Sequence, residues 1–240
     1  MRAKSGRTAK TGAGHKHTNL DAMIADLPKT ANHARFCELL DDDRIPLVLA
    51  TGPAGVGKTL QSISFAIYKL IKRDIGKVLI TRPTVPLGEE LGFLPGKLKD
   101  KMHPFLIPIY DSFKAYVTAR QLNEYIENEE IEIAAIAHVR GRTFQDCWVI
   151  VDEAQNLTPM QYRTLLTRIG QNAKMVVSGD LDQSDIRGTN GHQDFVDRFE
   201  TFVSGNGLGS HPDIGLVRFG DQDIMRSDLV KHVLDIYGKK

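Results

Sequence analysis

Apolar positions along this chain alternate between two spacings. Short unbroken apolar runs occur at "IPLVLAT" from Ile45, "KVLIT" from Lys77, "IEIAAIA" from Ile131, "CWVIV" from Cys147, "KMVVSGD" from Lys174 and "IGLVRF" from Ile214. Unbroken runs of this length are what strands covered on both faces require. Between them the spacing becomes helical. Leu60, Ile63, Ile67, Leu70 and Ile71 recur at the period of one helix face. "LTPMQYRTLLTRIG" predicts a helix capped by Thr158, with Pro159 in its first turn and Gln161 completing a capping box. Tyr162, Leu165, Leu166 and Ile169 form its inward stripe, and Gly170 is placed to end it. A closing helix is predicted with Leu229, Val230, Val233, Leu234 and Tyr237 inward. Strands alternating with helices predict an α/β fold, a mostly parallel sheet with helices on both faces. Residues 84–130 break the rhythm with Pro86, Pro95, Pro104 and Pro108, and predict a loop plus a helical insertion between two strands. "SGNGLGSHPD" from Ser204 predicts a surface loop.

Candidate chemistry sits at the ends of three of these strands. After the first, Gly52, Gly55 and Gly57 precede Lys58 and Thr59, and "GPAGVGKT" fits G-x-x-x-x-G-K-[ST]. Glycines at a strand-to-helix junction cost backbone entropy. Bare backbone there lets N–H groups point at phosphate oxygens, and the helix N-terminus favours negative charge. Gly52, Pro53, Ala54, Gly55, Val56, Gly57 and Leu60 are therefore predicted to cradle a nucleotide. Lys58 would neutralise its β- and γ-phosphates, and the Thr59 hydroxyl would ligate Mg²⁺. The run "CWVIV" ends in Asp152 and Glu153. Asp152 is the candidate for the Mg²⁺ shell and Glu153 for the general base that prepares water. "VVSGDLDQ" ends a third strand in Ser178, Gly179 and Asp180, with Gln183 beyond. A polar group there senses the γ-phosphate or orients the water; the alternative is a turn with capping roles for Asp180 and Asp182.

The chain has 240 residues, 41% of them apolar and 25% charged, which is ordinary for a globular protein with a sizeable core. No apolar run reaches the roughly eighteen residues of a membrane span. The start has no apolar centre, so it does not resemble a signal peptide. Cys37 and Cys147 fit no ligand spacing and are expected as reduced thiols of a cytoplasmic protein. Net charge is +1, but Arg2, Lys4, Arg7, Lys10 and Lys16 all precede the first acid, Asp21. Residues 1–18 are therefore predicted to form a disordered basic tail, and 19–240 one domain.

The motifs in their order, and the text between them, resemble the PhoH family of P-loop ATPases. The carrying residues are "GPAGVGKT", "ITRPTVPLGEELGFLPG", "IEIAAIAHVRGRTFQDCWVIVDEAQNLTPMQ", "LTRIG" and "SGDLDQSDIRG", with a weaker match at "IMRSDLVKHVLDIY". The family is similar to the first motor domain of superfamily-one helicases. The resemblance implies a RecA-like sheet, ATP and Mg²⁺. It implies that Arg82 and Pro83 touch a nucleic-acid backbone and that Gln183 contacts the γ-phosphate. It makes Arg226 an arginine of the family's C-terminal motif, and sets Asn32 and His33 where relatives contact adenine. His33 replaces the usual glutamine. Thr81, Arg82 and the "LPGKLKDK" segment with Lys97 would line a groove for single-stranded RNA or DNA, although Lys97, Lys99 and Lys101 equally suit a solvated helix face. With no RNA-binding or nuclease domain in view, the chain resembles the small ATPase-only form common in bacteriophages. One motor domain leaves the γ-phosphate open on one side, so a homohexameric ring is expected, with an arginine supplied in trans. Arg142, Arg187, Arg218 and Arg226 are the candidates. The alternative is a nucleotide-gated assembly module with slow turnover and no nucleic-acid substrate.

Overall fold

The computed structural model describes residues 20–83, 110–139, 141–181, 183–186, 188–206 and 211–225, with Leu229 and Ile236. The predicted basic tail, Lys97, Arg187, Arg226 and most of the closing helix lie outside the described residues. Of that helix, Leu229 and Ile236 are described and both are exposed, so Leu229 does not point inward as its spacing suggested.

Six strands form one parallel sheet: β1 (Leu47–Thr51), β2 (Lys77–Arg82), β3 (Ile131–Ala135), β4 (Cys147–Val151), β5 (Lys174–Gly179) and β6 (Ile214–Arg218). Their order across the sheet is β3-β2-β4-β5-β1-β6. All six apolar runs are strands. Every residue of β1, β4 and β5 is buried, the physical basis of their unbroken apolar character.

Alternate strand residues supply two cores. Val48, Ala50, Val78, Ile80, Trp148, Ile150 and Val176 pack against α1 (Leu20–Ala25), α2 (Ala31–Asp41) and α3 (Lys58–Lys72), and against α4 (Ala119–Glu127) of the insertion. Leu47, Leu49, Leu79, Val149, Val151, Met175 and Val177 pack against α5 (Ile136–Val139), α6 (Pro159–Leu166) and α7 (Gly191–Asn206). The result is the predicted three-layer α/β/α arrangement. Each fully buried Leu, Ile or Val side chain contributes roughly 1.5–3 kcal/mol, which fixes the strand register.

Helix α6 has the predicted ends at its start and not at its finish. Thr158 Oγ1 accepts from Gln161 N, and the Gln161 side chain accepts from Thr158 N. The helix stops at Leu166, before Gly170. Gly170 instead donates its N–H to Phe144 O at 2.8 Å, and a Cβ at that position would stand 2.6 Å from the same oxygen. Close backbone approach, not helix termination, requires that glycine. The run from Ile131 is also shorter than predicted, because α5 begins at Ile136. Residues 204–206, expected in a loop, finish α7.

Candidate functional site

Parallel pairing aligns the strand ends. Thr51 lies opposite Gly179 on one side and Arg218 on the other, and Val151 lies opposite Val177. The glycine-rich loop, the Asp152–Glu153 pair and the Gly179–Asp180 turn therefore share one edge of the sheet, the carboxyl end where α/β folds bind ligands.

The loop has the backbone its glycines predict. Gly52, Gly55 and Gly57 have φ of 146°, 88° and 82°. Gly52 has a second constraint, since a Cβ there would stand 2.6 Å from Phe219 O. Gly52→Ala is expected to strain both segments at a cost of about 1–3 kcal/mol, lowering the melting temperature by roughly 4–10 °C. A calorimetric scan of the variant beside the parent checks this; an unchanged transition would count against the packing described.

Lys58 opens α3 and is buried. Its Nζ donates to Gly52 O at 2.6 Å and Pro53 O at 2.9 Å. Burial pulls the Lys58 ammonium pKa down, while Asp180, Asp152 and Glu153 oppose that pull. The Thr59 hydroxyl donates to Asp152 Oδ1 at 2.8 Å, and Ser178 Oγ donates to the same oxygen at 3.1 Å. Glu153 adopts a left-handed backbone, φ 55°, unusual for a residue with a side chain. Its carboxylate meets Arg82 Nη2 at 3.2 Å and Gln155 Nε2 at 2.5 Å. Gln155 also accepts from Asp180 N at 3.1 Å and donates to Gln183 O at 3.3 Å.

These groups surround a cavity of about 450 Å³, which Ala54, Gly55, Gly57, Leu60 and Ser112 also line. Leu60 belongs there rather than in the core, being 41% exposed. The predicted Lys58, Thr59, Asp152, Glu153, Asp180 and Gln183 all come together, with Arg82 at the rim. Thr81, by contrast, is fully buried, and its hydroxyl has no hydrogen-bond partner among the described residues.

Asn32 and His33 are not among the residues that line this cavity, and they join the loop through other contacts. His33 is fully buried, with its Nε2 2.8 Å from Val56 O. Asn32 Nδ2 donates to Asp223 Oδ2 at 2.8 Å, and Thr30 Oγ1 donates to the other oxygen. Asp223 accepts from Gly220 N as well, and Met225 N donates to Gly55 O at 3.0 Å. The N-terminus of α2 and the turn after β6 thus each hold one carbonyl of the loop. Sequence reasoning missed Asp223, because its partner Asn32 is 191 residues away. Gln155 was visible within "VDEAQN", but its contacts join the turn after β4 to the segment after β5.

Two of the arginines considered for a trans role are engaged. Arg142 forms a two-point pair with Glu132 at 2.6 and 2.9 Å, and Arg218 one with Glu200 at 2.7 and 2.8 Å. Cys37 and Cys147 are free thiols, each pushed up to about 11 by burial. A larger cavity of about 880 Å³ opens at the opposite edge of the sheet. There Lys174 donates to Leu39 O and Asp42 O, and burial draws it down to about 8. It has neither a glycine-rich loop nor the acidic pair. Among the described residues no helix is long and apolar enough to cross a membrane.

A parallel sheet with a glycine-rich strand-to-helix loop facing an acidic strand end across one intervening strand defines the RecA-like class of P-loop α/β folds. Within that class the sequence is specific. Residues 27–238 match the family described as PhoH-like protein, and the chain belongs to that family. It is 38% identical over 198 residues to the PhoH-like protein of Bacillus subtilis (strain 168), covering 82% of this chain and 60% of the relative. It is 40% identical over 210 residues to Protein PhoH of Escherichia coli (strain K12), covering 86% and 57%. The chain thus spans less than two thirds of these relatives' length. Among solved structures, the Sulfolobus solfataricus SWI2/SNF2 ATPase core in complex with dsDNA aligns with a TM-score of 0.46 at 16% identity, covering 85% of this chain and 47% of that one.

Proposed function

We propose that this chain hydrolyses ATP with Mg²⁺ and couples turnover to single-stranded RNA or DNA. The observation that carries the reading is that Asp152 and Glu153 line the same cavity as Lys58 and Thr59, with Asp152 hydrogen-bonded to Thr59. The loop amides and the Lys58 ammonium would hold the β- and γ-phosphates. An arriving phosphate offers Lys58 anionic oxygens in place of a loop carbonyl. The Thr59 hydroxyl and the Asp152 carboxylate are hard oxygen donors side by side, and they fit Mg²⁺, which is held by one or two carboxylates plus phosphates. When bound, the ion would supply neutralisation of phosphate charge. Glu153 would accept the proton of the attacking water, and Gln183 would contact the γ-phosphate.

Arg82 is the surface residue through which a strand would be felt. The described part of residues 19–240 acts as one RecA-like unit in this reading. An isolated unit leaves its cavity open, so we infer a ring, a hexamer expected, in which a neighbour closes it. Outside the described residues, Arg226 and Arg187 remain candidates for the closing cation. They are favoured over Arg142 and Arg218, whose carboxylate partners would have to be given up.

The test is ATP hydrolysis with RNA, with DNA and without polymer, with light scattering on the same solutions. Turnover stimulated by single strands and weakened by added salt is expected, from an assembly larger than a monomer. A slow rate indifferent to polymer, together with nucleotide-dependent assembly, would instead establish an assembly module. A monomer even with Mg²⁺ and ATP would contradict the ring.

A further inference from the structure

Both carboxylate oxygens of Glu153 are engaged, by partners of very different character. Gln155, bonded to Oε2, is 1% exposed and fixed at three points by Glu153, Asp180 N and Gln183 O. Arg82, beside Oε1 at 3.2 Å, is a third exposed and sits where β2 ends. Gln155 is thus part of the frame, whereas Arg82 meets Glu153 only through an ion pair and is partly open to solvent. With Arg82 in place, an attacking water must compete with a guanidinium for Oε1.

We propose that Arg82 is a gate on Glu153: it occupies the carboxylate in the resting chain and surrenders it when the phosphodiester of a single strand takes the guanidinium. This rests on the reading of Glu153 as the group that accepts the water's proton. The chemistry favours exchange. A guanidinium matches a phosphate with two parallel N–H bonds, whereas Arg82 meets Glu153 in an ion pair at 3.2 Å without the two-point hydrogen bonding that Arg142 makes with Glu132. The pair is solvent-exposed enough to be weak, so a modest difference in affinity moves the balance. A charge arriving at the rim would thereby change the catalytic group directly, without a second lobe.

The gate makes a prediction opposite to that of a simple nucleic-acid contact. Arg82→Gln should raise turnover without polymer by about three- to tenfold, as the resting population of occupied Glu153 is lost, and the stimulation ratio should fall towards one. Arg82→Lys keeps a cation but not the fork. More single-stranded RNA should be needed for its half-stimulation than for the parent's, because a lysine offers a phosphodiester one point charge rather than two parallel N–H bonds. Melting curves of both variants confirm the fold. Turnover of Arg82→Gln at or below the parent's, without polymer, overturns the gate while leaving the ATPase reading intact. So does a parent that hydrolyses ATP but ignores polymer. A parent with no turnover overturns both.

Discussion

Lys58→Met is expected to cut ATP turnover by about 10²- to 10³-fold while the chain stays folded, the scale seen when one preorganised charge-stabilising donor is removed. Lys58 is buried with its ammonium held by Gly52 O and Pro53 O, so the cation is already in the loop before any phosphate arrives. Little reorganisation is needed to aim it, which is why it should act mainly on the transition state. Methionine retains the buried stem and removes the charge, so packing against the loop is conserved better than by alanine. Turnover and melting temperature measured on the same preparation separate the two effects. A rate within threefold of the parent would remove Lys58 from the chemistry.

The second large effect belongs to Glu153→Gln. Loss of a general base costs typically about 10²- to 10⁴-fold, and here it should appear in kcat with nucleotide affinity nearly unchanged. The amide is isosteric and does not touch the loop carbonyls that shape the phosphate cradle. Binding of a fluorescent nucleotide beside single-turnover hydrolysis resolves the split. If affinity and kcat fall together, Glu153 shapes the pocket rather than preparing water. Asp152 offers the useful contrast, since it accepts from both Thr59 and Ser178. Its replacement would disturb two elements at once.

Much of the fold was legible because this sheet is parallel and covered on both sides. Strands β1, β4 and β5 are buried throughout, so their sequences carry no polar alternation to confuse the reading. The phosphate loop was legible for a related reason, since its backbone needs glycines at particular steps and the helix follows at once. Features made by distant residues were not legible. Nothing local in "GDQDI" indicates that Asp223 would hold the start of α2. Helix α7 escaped notice because much of its surface is polar, with Val196 and His192 buried among charged neighbours. Leu60 fitted the helical stripe by spacing, yet the stripe at the first turn faces the cavity rather than the core. Gly170 had the composition of a helix end but serves a contact with Phe144.

Strand β1 has both its partners, β5 and β6, far downstream. During synthesis the phosphate loop leaves the ribosome before either partner, and the strand that carries it has no neighbour until residue 174 and no second one until residue 214. A nascent chain therefore cannot assemble a working cradle piecemeal. Grip on a triphosphate would report that synthesis has passed β6 and that β1 has both its neighbours, whereas a chain cut short before β6 would keep β5 beside β1 but lose the clasp of Met225 N on Gly55 O.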